Sequence, residues 1–197
     1  MANAKIKWNG NTAVILESYD ATDLLKAPFK VILKDSVKQV VDSEGVVLET
    51  IIPDPDGLIK AVAQARVLHP HKLVGPELKF LRTALGLRSK DLANAIAVSP
   101  EHMSRLEADD KVLSPQCEML IRIYTYVSAL PFTTKKEIVA TQVAKQVGRV
   151  FGGLSIRPCH SIDETLEFVL VRKHRNPDIG SLDNDDSNGT WDEPIAA

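Results

Sequence analysis

The sequence predicts an α+β fold in which a small β-rich module precedes a helical domain. Residues 5–52 are rich in β-branched side chains and contain five runs that predict strands, at 6–8, 13–17, 29–34, 37–41 and 46–52. Residues 71–131 instead place apolar side chains at helical spacing, around one tight turn. A helix–strand extension and an acidic tail follow, so the predicted divisions are residues 1–70, 71–131, 132–175 and 176–197.

Turn residues and prolines set the limits of the N-terminal module. Residues 42–45, Asp-Ser-Glu-Gly, separate the last two predicted strands and predict a hairpin, since Gly45 suits a positive φ. Pro53 and Pro55 end the β region. Residues 58–68 then carry Leu58 and Val62 at helical spacing, which predicts a helix ending before Pro70.

Charge and cysteine content limit the class of protein. The net charge of −2 divides into −1 for residues 1–70, +1 for 71–134, +4 for 135–175 and −6 for the last 22 residues. The body is therefore mildly basic, and we expect only modest non-specific affinity for DNA. Cys117 and Cys159 form neither a metal pattern nor a disulfide framework. The sequence shows no apolar run of membrane-spanning length and no signal peptide, so we expect a cytoplasmic protein.

Residues 73–113 have the layout of a helix–turn–helix, whose usual role is to place its second helix in the major groove of DNA. The predicted buried stripes are Leu78, Leu81 and Leu85, then Leu92, Ala93 and Ile96, then Met103 and Leu106. Ser99 can cap the last of these helices, with Pro100 in its first turn. The side chains then expected to face outward are Glu101, His102, Ser104 and Arg105.

The C-terminal third predicts two more helices and a strand. Ser114-Pro115 predicts the start of a helix that ends at Pro131. Residues 134–150 carry valines at helical spacing, which fit either a core or a dimer contact, and Gly152-Gly153 ends that helix. Residues 165–173 predict a strand. Residues 176–197 predict a disordered acidic tail, in which Trp191 is a candidate anchor for a partner.

The run GPELKFLRTALGLRSKDLANAIAVSPEHMSRLE resembles Cro/XRE-type helix–turn–helix regulators. The lead-in to its first helix and the later SPQCEMLIRIY are most similar to MqsA-type antitoxin-like regulators. The matching residues are Leu85, Gly86, Leu87, Leu92, Ala93, Val98, Ser99, Ser104, Arg105 and Glu107. The likeness covers about 60 residues of this chain. It implies a Cro/lambda-repressor-like all-α domain that binds double-stranded DNA.

The resemblance also implies residue roles. Arg82 would pair with Glu107 and clamp the first helix to the third. Arg105 would reach the DNA, where arginine can donate twice to guanine for roughly 1–3 kcal/mol of discrimination. Ser89, Lys90, Ser99, Glu101, His102, Ser104 and Lys111 complete the expected DNA-binding set, with Lys90 and Lys111 on phosphates.

The sequence departs from that family at several positions. Ala97 replaces the usual turn glycine, which costs about 1–2 kcal/mol if the residue is left-handed. Ser89 replaces a DNA-contacting glutamine, and Glu101 replaces a base-reading asparagine. A glutamate can accept from cytosine but repels phosphates. Asp109-Asp110 replaces Asn-Gly, and nothing could build the cysteine zinc site of MqsA-type proteins.

These observations predict a sequence-specific transcriptional regulator, expected to be a repressor, that reads an inverted repeat as a homodimer. One alternative is an antitoxin that binds a toxin through residues 1–70. Another is a protein-interaction module that uses the helix–turn–helix as a scaffold. We expect no enzymatic activity, since recognisable catalytic motifs are lacking, and no metal or cofactor. The histidines His69, His71 and His160 are interpreted as loop residues.

Overall fold

A computed structural model describes residues 5–8, 11–130, 145, 147–149, 151–154, 156, 166–174, 189–191 and 195–196. For residues 5–8, 11, 173, 174, 189, 195 and 196 the description covers the backbone alone. Most of the predicted helix at 134–150 lies outside these residues, although residues 145, 147–149 and 151 are helical and a turn follows at Gly152-Gly153.

A mixed sheet is built from both ends of the chain. Its strands are β1 (Lys5–Trp8), β2 (Asn11–Asp20), β3 (Lys30–Val41), β4 (Val47–Ile51), β5 (Glu167–His174), β6 (Gly189–Trp191) and β7 (Ile195–Ala196). The main path runs β1-β2-β3-β5-β6, with β4 paired to β3 and β7 paired to β5. Strand β5 is parallel to β3, with Val31 opposite Phe168 and Leu33 opposite Leu170. The other pairs are antiparallel.

Strand β3 is the centre of the sheet and joins two runs that the sequence predicted as separate strands. Asp35, with φ of 51°, lies where those runs meet, and the register against β2 shifts between Leu16 and Ser18. Val31 and Leu33 are buried before this irregularity, and Val37 and Val40, which lie three positions apart, are buried after it. On the edge of β3 that faces away from β2, the first half of the strand pairs with β5 and the second half pairs with β4.

The described helices are α1 (Thr22–Leu25), α2 (Pro55–Leu68), α3 (Gly75–Ala84), α4 (Ser89–Ala95), α5 (Pro100–Glu107) and α6 (Pro115–Ala129). Helix α1 was not predicted, and α2 begins three residues before its prediction because Asp54 caps it, accepting from the N–H of Gly57 at 2.9 Å. Helices α5 and α6 begin at their predicted prolines. Ser99 and Ser114 cap them, accepting from the N–H groups of His102 and Cys117.

The chain forms two compact units, one of residues 1–25, 29–61 and 166–197, the other of 26–28 and 62–165. The predicted fold class was wrong: this is a mixed α/β protein, and a separate all-α Cro/lambda-repressor-like domain is not evident in the residues that the structure describes. The β5 strand, expected in a C-terminal extension, lies in the sheet beside β3. Helix α2, expected to close the β module, contributes its second half to the helical unit.

The C-terminal tail also differs from prediction where it is described. Strands β6 and β7 pair with β5, in a segment for which the sequence predicted no regular structure. The indole Nε1 of Trp191 donates to the backbone oxygen of Asp54 at 3.3 Å, and the Arg172 guanidinium lies 5.6 Å from the indole ring centroid. Trp191 therefore anchors the tail to its own unit. Across the described ranges, the helices are too short or too polar to cross a membrane.

Candidate nucleic-acid interface

Helices α4 and α5 form a compact pair joined by a turn at residues 96–99. Ala97 has φ of 56°, in the left-handed region that the missing turn glycine would favour. The next N–H, that of Val98, donates to the carbonyl oxygen of Ala93 at 3.0 Å, which closes the end of α4. Ala93 is fully buried, in keeping with the small side chain that a close helix crossing needs. The turn therefore fixes where α5 starts.

Helix α5 has one buried and one exposed side. Met103 and Leu106 are buried, at 0% and 2% exposure. Glu101, Ser104 and Arg105 are exposed, at a spacing of three to four residues, so they follow one side of the helix. His102 is only half-buried, and Ser99 uses its hydroxyl oxygen as the N-cap acceptor. The exposed side offers an acidic, a hydroxyl and a guanidinium group.

Glu101 is held ionised at the start of α5. Its own backbone N–H and the Ser99 hydroxyl lower the pKa of its carboxyl below the usual value. A negative charge in the first turn also suits the helix dipole. The departure from the resembled family thus stabilises the helix locally and gives this surface a hydrogen-bond acceptor.

Two contacts hold α5 against α3. Arg82 Nε donates to Glu107 Oε1 at 2.6 Å and Arg82 Nη2 to Glu107 Oε2 at 3.2 Å, so the structure brings together the expected ion pair. The N–H of Gly75 donates to Asp109 Oδ1 at 2.5 Å. A Cβ on Gly75 would lie 2.7 Å from the carbonyl oxygens of Leu106 and Glu107, so the two backbones approach closely. Asp109 therefore acts as a structural acceptor.

The remaining expected DNA-binding residues lie in different surroundings. Lys90 and Lys111 are exposed, so their ammonium groups are accessible. Ser89 is half-buried, and its hydroxyl oxygen is buried without a hydrogen-bond partner in the described part of the chain. Nearby, Arg88 Nε donates to Asp91 Oδ2 at 2.9 Å, an exposed pair. The structure thus presents the lysines but not the Ser89 hydroxyl.

Sequence reasoning missed a buried charged cluster that ties the helical unit together. Arg66 binds Glu77 through two hydrogen bonds of 2.6 and 2.7 Å. Arg122 Nη2 donates to Glu118 Oε1 at 2.8 Å, and both side chains are fully buried. The signal in the sequence was a charged residue on an otherwise apolar helix face, in α2 for Arg66 and in α6 for Arg122.

The two arginines also hold the segment that links α2 to α3. Arg122 donates to the carbonyl oxygens of Val67, His69 and His71 at 2.6–2.7 Å. Arg66 donates to those of His71 and Lys72 at 3.0 and 2.9 Å. Carbonyl groups that end a helix need such donors. The segment is thereby fixed by side chains that precede and follow it.

His69 lies in this cluster. Burial, and then the electrostatic influence of Arg66 and the neighbouring side chains, lower its pKa to about 4. The neutral Nδ1 accepts from the N–H of His71 at 3.3 Å, and the two imidazole rings meet edge-on at 4.6 Å. His69 is therefore a neutral structural side chain near neutral pH.

No family model, curated protein or solved structure matches this chain. A helix that exposes Glu101, Ser104 and Arg105 can offer hydrogen bonds to base edges, and Lys90 and Lys111 can offer charge to phosphates.

Proposed function

We propose that this chain is a cytoplasmic, sequence-specific DNA-binding regulator that acts as a repressor. The α5 helix would enter the major groove, and two copies would read an inverted repeat. The observation that carries the proposal is the two-sided α5, which buries Met103 and Leu106 and exposes Glu101, Ser104 and Arg105. Because α5 is already fixed by its buried side chains, it would lose little conformational entropy on binding.

The exposed groups are donors and acceptors of the kinds that can pair with base edges in the major groove. Arg105 can donate to guanine O6 and N7, and Glu101 can accept from cytosine N4. Lys90 and Lys111 add charge that orients the duplex without selecting a sequence. This unit carries few basic side chains, so we expect its affinity for DNA to depend only weakly on salt concentration.

The test is fluorescence anisotropy with the DNA upstream of its own gene and a scrambled duplex, across a salt series. We expect roughly a 10³-fold preference for the native duplex. Arg105→Ala should remove about 10- to 100-fold of that preference, the equivalent of roughly 1–3 kcal/mol. Lys79→Ala is the matched control, since Lys79 is an exposed cation on α3 outside the proposed surface.

Equal weak binding of the wild-type protein to every duplex, including fragments selected from the whole genome, would refute the proposal. A loss of preference in Lys79→Ala as large as in Arg105→Ala would refute the role of α5. The thermal unfolding of each variant is measured alongside, so that loss of fold is not taken for loss of contact.

A second candidate function, a protein-interaction module, is favoured by β4. Val46, Val47 and Leu48 are exposed by 56%, 48% and 56%, and β4 pairs only with β3 in the described chain. An unpaired apolar edge can add a strand from another protein. An antitoxin would combine this contact with DNA binding. Leu48→Lys would then abolish partner binding and leave DNA binding intact, whereas Arg105→Ala would do the reverse.

A further inference from the structure

Helix α6 buries both of its charged side chains, together with Ile121, Tyr126 and Ala129, and leaves a row of uncharged, mainly apolar side chains at least partly exposed. Glu118 and Arg122 are the only charged residues in Pro115–Ala129, and both are fully buried. Leu120 is 51% exposed, while Cys117, Tyr124 and Val127 are partly exposed. These four residues are spaced by three, four and three positions, so they follow one side of the helix. A helix facing water normally carries its charges there instead.

We propose that this face of α6, defined by Cys117, Leu120, Tyr124 and Val127, is the contact between two copies of the chain. The inference rests on the dimer in the function proposed above and names the surface that forms it. A two-fold contact uses the same surface of both copies, so a charge close to the two-fold axis would face its like. The α6 face carries no charge, and a second copy therefore meets no repulsion.

The same lack of charge argues against other occupants. Helices that lie on membranes carry lysine and arginine on their polar side, whereas the only arginine of α6 is buried. Partners of a different sequence are commonly selected by complementary charges around an apolar centre, and α6 offers none along this row. A second copy of the chain is therefore the partner that an uncharged row favours.

The size of the face predicts a weak dimer. A helix of 15 residues is about 22 Å long. One helix pair covers less than the roughly 800 Å² per partner of a typical stable complex. We therefore expect a dissociation constant on the order of micromolar for the dimer without DNA. On DNA, two copies bound to one inverted repeat would strengthen each other's binding.

Sedimentation of the full chain without DNA, from nanomolar to high micromolar concentrations, tests the proposal. We expect the wild-type protein to dimerise and Leu120→Glu to remain monomeric with an unchanged melting temperature. Val112→Glu is the matched control, because it places the same charge on a residue that is 78% exposed outside α6. This control should dimerise like the wild-type protein.

A second measurement guards against a Leu120→Glu variant that does not fold. Leu120→Cys, in a background of Cys117→Ser and Cys159→Ser, should form a disulfide between copies under mild oxidation. Lys79→Cys in that background should not, since Lys79 is exposed on α3.

Three results would overturn the inference. The first is a wild-type chain that stays monomeric at every concentration, and the second is a Leu120→Glu variant that folds and dimerises normally. The third is equal cross-linking at the α3 and α6 positions. A chain that dimerises through α6 but prefers no DNA would refute only the function proposed above, whereas a monomer that binds its operator would refute only this inference.

Discussion

Arg122 donates to Glu118 one turn earlier on α6, at 2.8 Å, and neither side chain reaches solvent. The same arginine binds the carbonyl oxygens of Val67, His69 and His71, which end α2 and lead towards α3. Because α5 packs on α3, the position of the exposed side of α5 depends on the Glu118–Arg122 ion pair, which is buried away from that surface.

Replacing Arg122 with methionine should lower the free energy of unfolding by about 3–5 kcal/mol, because Glu118 would stay buried without its counter-charge. Urea denaturation of the full chain measures the change. The double variant Glu118→Gln, Arg122→Met should recover part of the loss, since it removes the uncompensated carboxylate and keeps an acceptor for the N–H of Leu73. A double variant no more stable than Arg122→Met would contradict this account.

Ala97→Gly should stabilise the protein. Ala97 has φ of 56°, and relief of about 1–2 kcal/mol of strain exceeds the roughly 0.4–1 kcal/mol lost to greater freedom of the unfolded chain. Gly86→Ala is the mirror control, because Gly86 has φ of 67° and an added Cβ would meet nothing within 4 Å. Thermal unfolding should shift upward for Ala97→Gly and downward for Gly86→Ala. Shifts of the same sign would show that backbone strain is not the cause.

Local signals predicted the helices around the candidate surface well. Ser99-Pro100 and Ser114-Pro115 fixed the starts of α5 and α6, because a cap acts within one turn of its helix. The spacing of Met103 and Leu106 likewise gave the buried side of α5, and so its exposed side.

The sheet could not be predicted in the same way. Strand β5 pairs with β3 across most of the chain, and a period of two residues says which face a strand buries but not which strand lies beside it. The buried partners Arg66 and Glu77 were missed for a related reason. A charged residue is expected at the surface until its opposite charge is placed against it.

Acidification should destabilise the protein through His69. Its pKa is about 4 in the folded protein and about 6.5 when unfolded, so the unfolded chain takes up the proton first. The stability is therefore complete above about pH 6.5 and falls as the pH drops towards about 4. Urea denaturation across this range measures the slope. His69→Gln should show a smaller loss than the wild-type protein, and equal losses would exclude His69 as the cause.

The variant Arg82→Lys should lower the stability of the fold without changing the exposed residues of α5. Arg82 donates to both carboxylate oxygens of Glu107 and, through Nη1, to the carbonyl oxygen of Leu87 at 2.8 Å. Lysine keeps the charge but not this forked geometry. We expect the free energy of unfolding to fall by about 1–3 kcal/mol, in line with the loss of hydrogen bonds to a charged group.

If the proposed function holds, the DNA sequence preference of Arg82→Lys should match that of the wild-type protein at temperatures well below unfolding, because Arg82 binds Glu107 and the carbonyl oxygen of Leu87 and is not among the exposed residues of α5. Arg105→Ala should show the opposite behaviour, with normal unfolding and reduced preference. Anisotropy titrations and thermal melts of both variants in one buffer make the comparison. A folded Arg82→Lys that has lost sequence preference would mean that the ion pair takes part in DNA recognition itself.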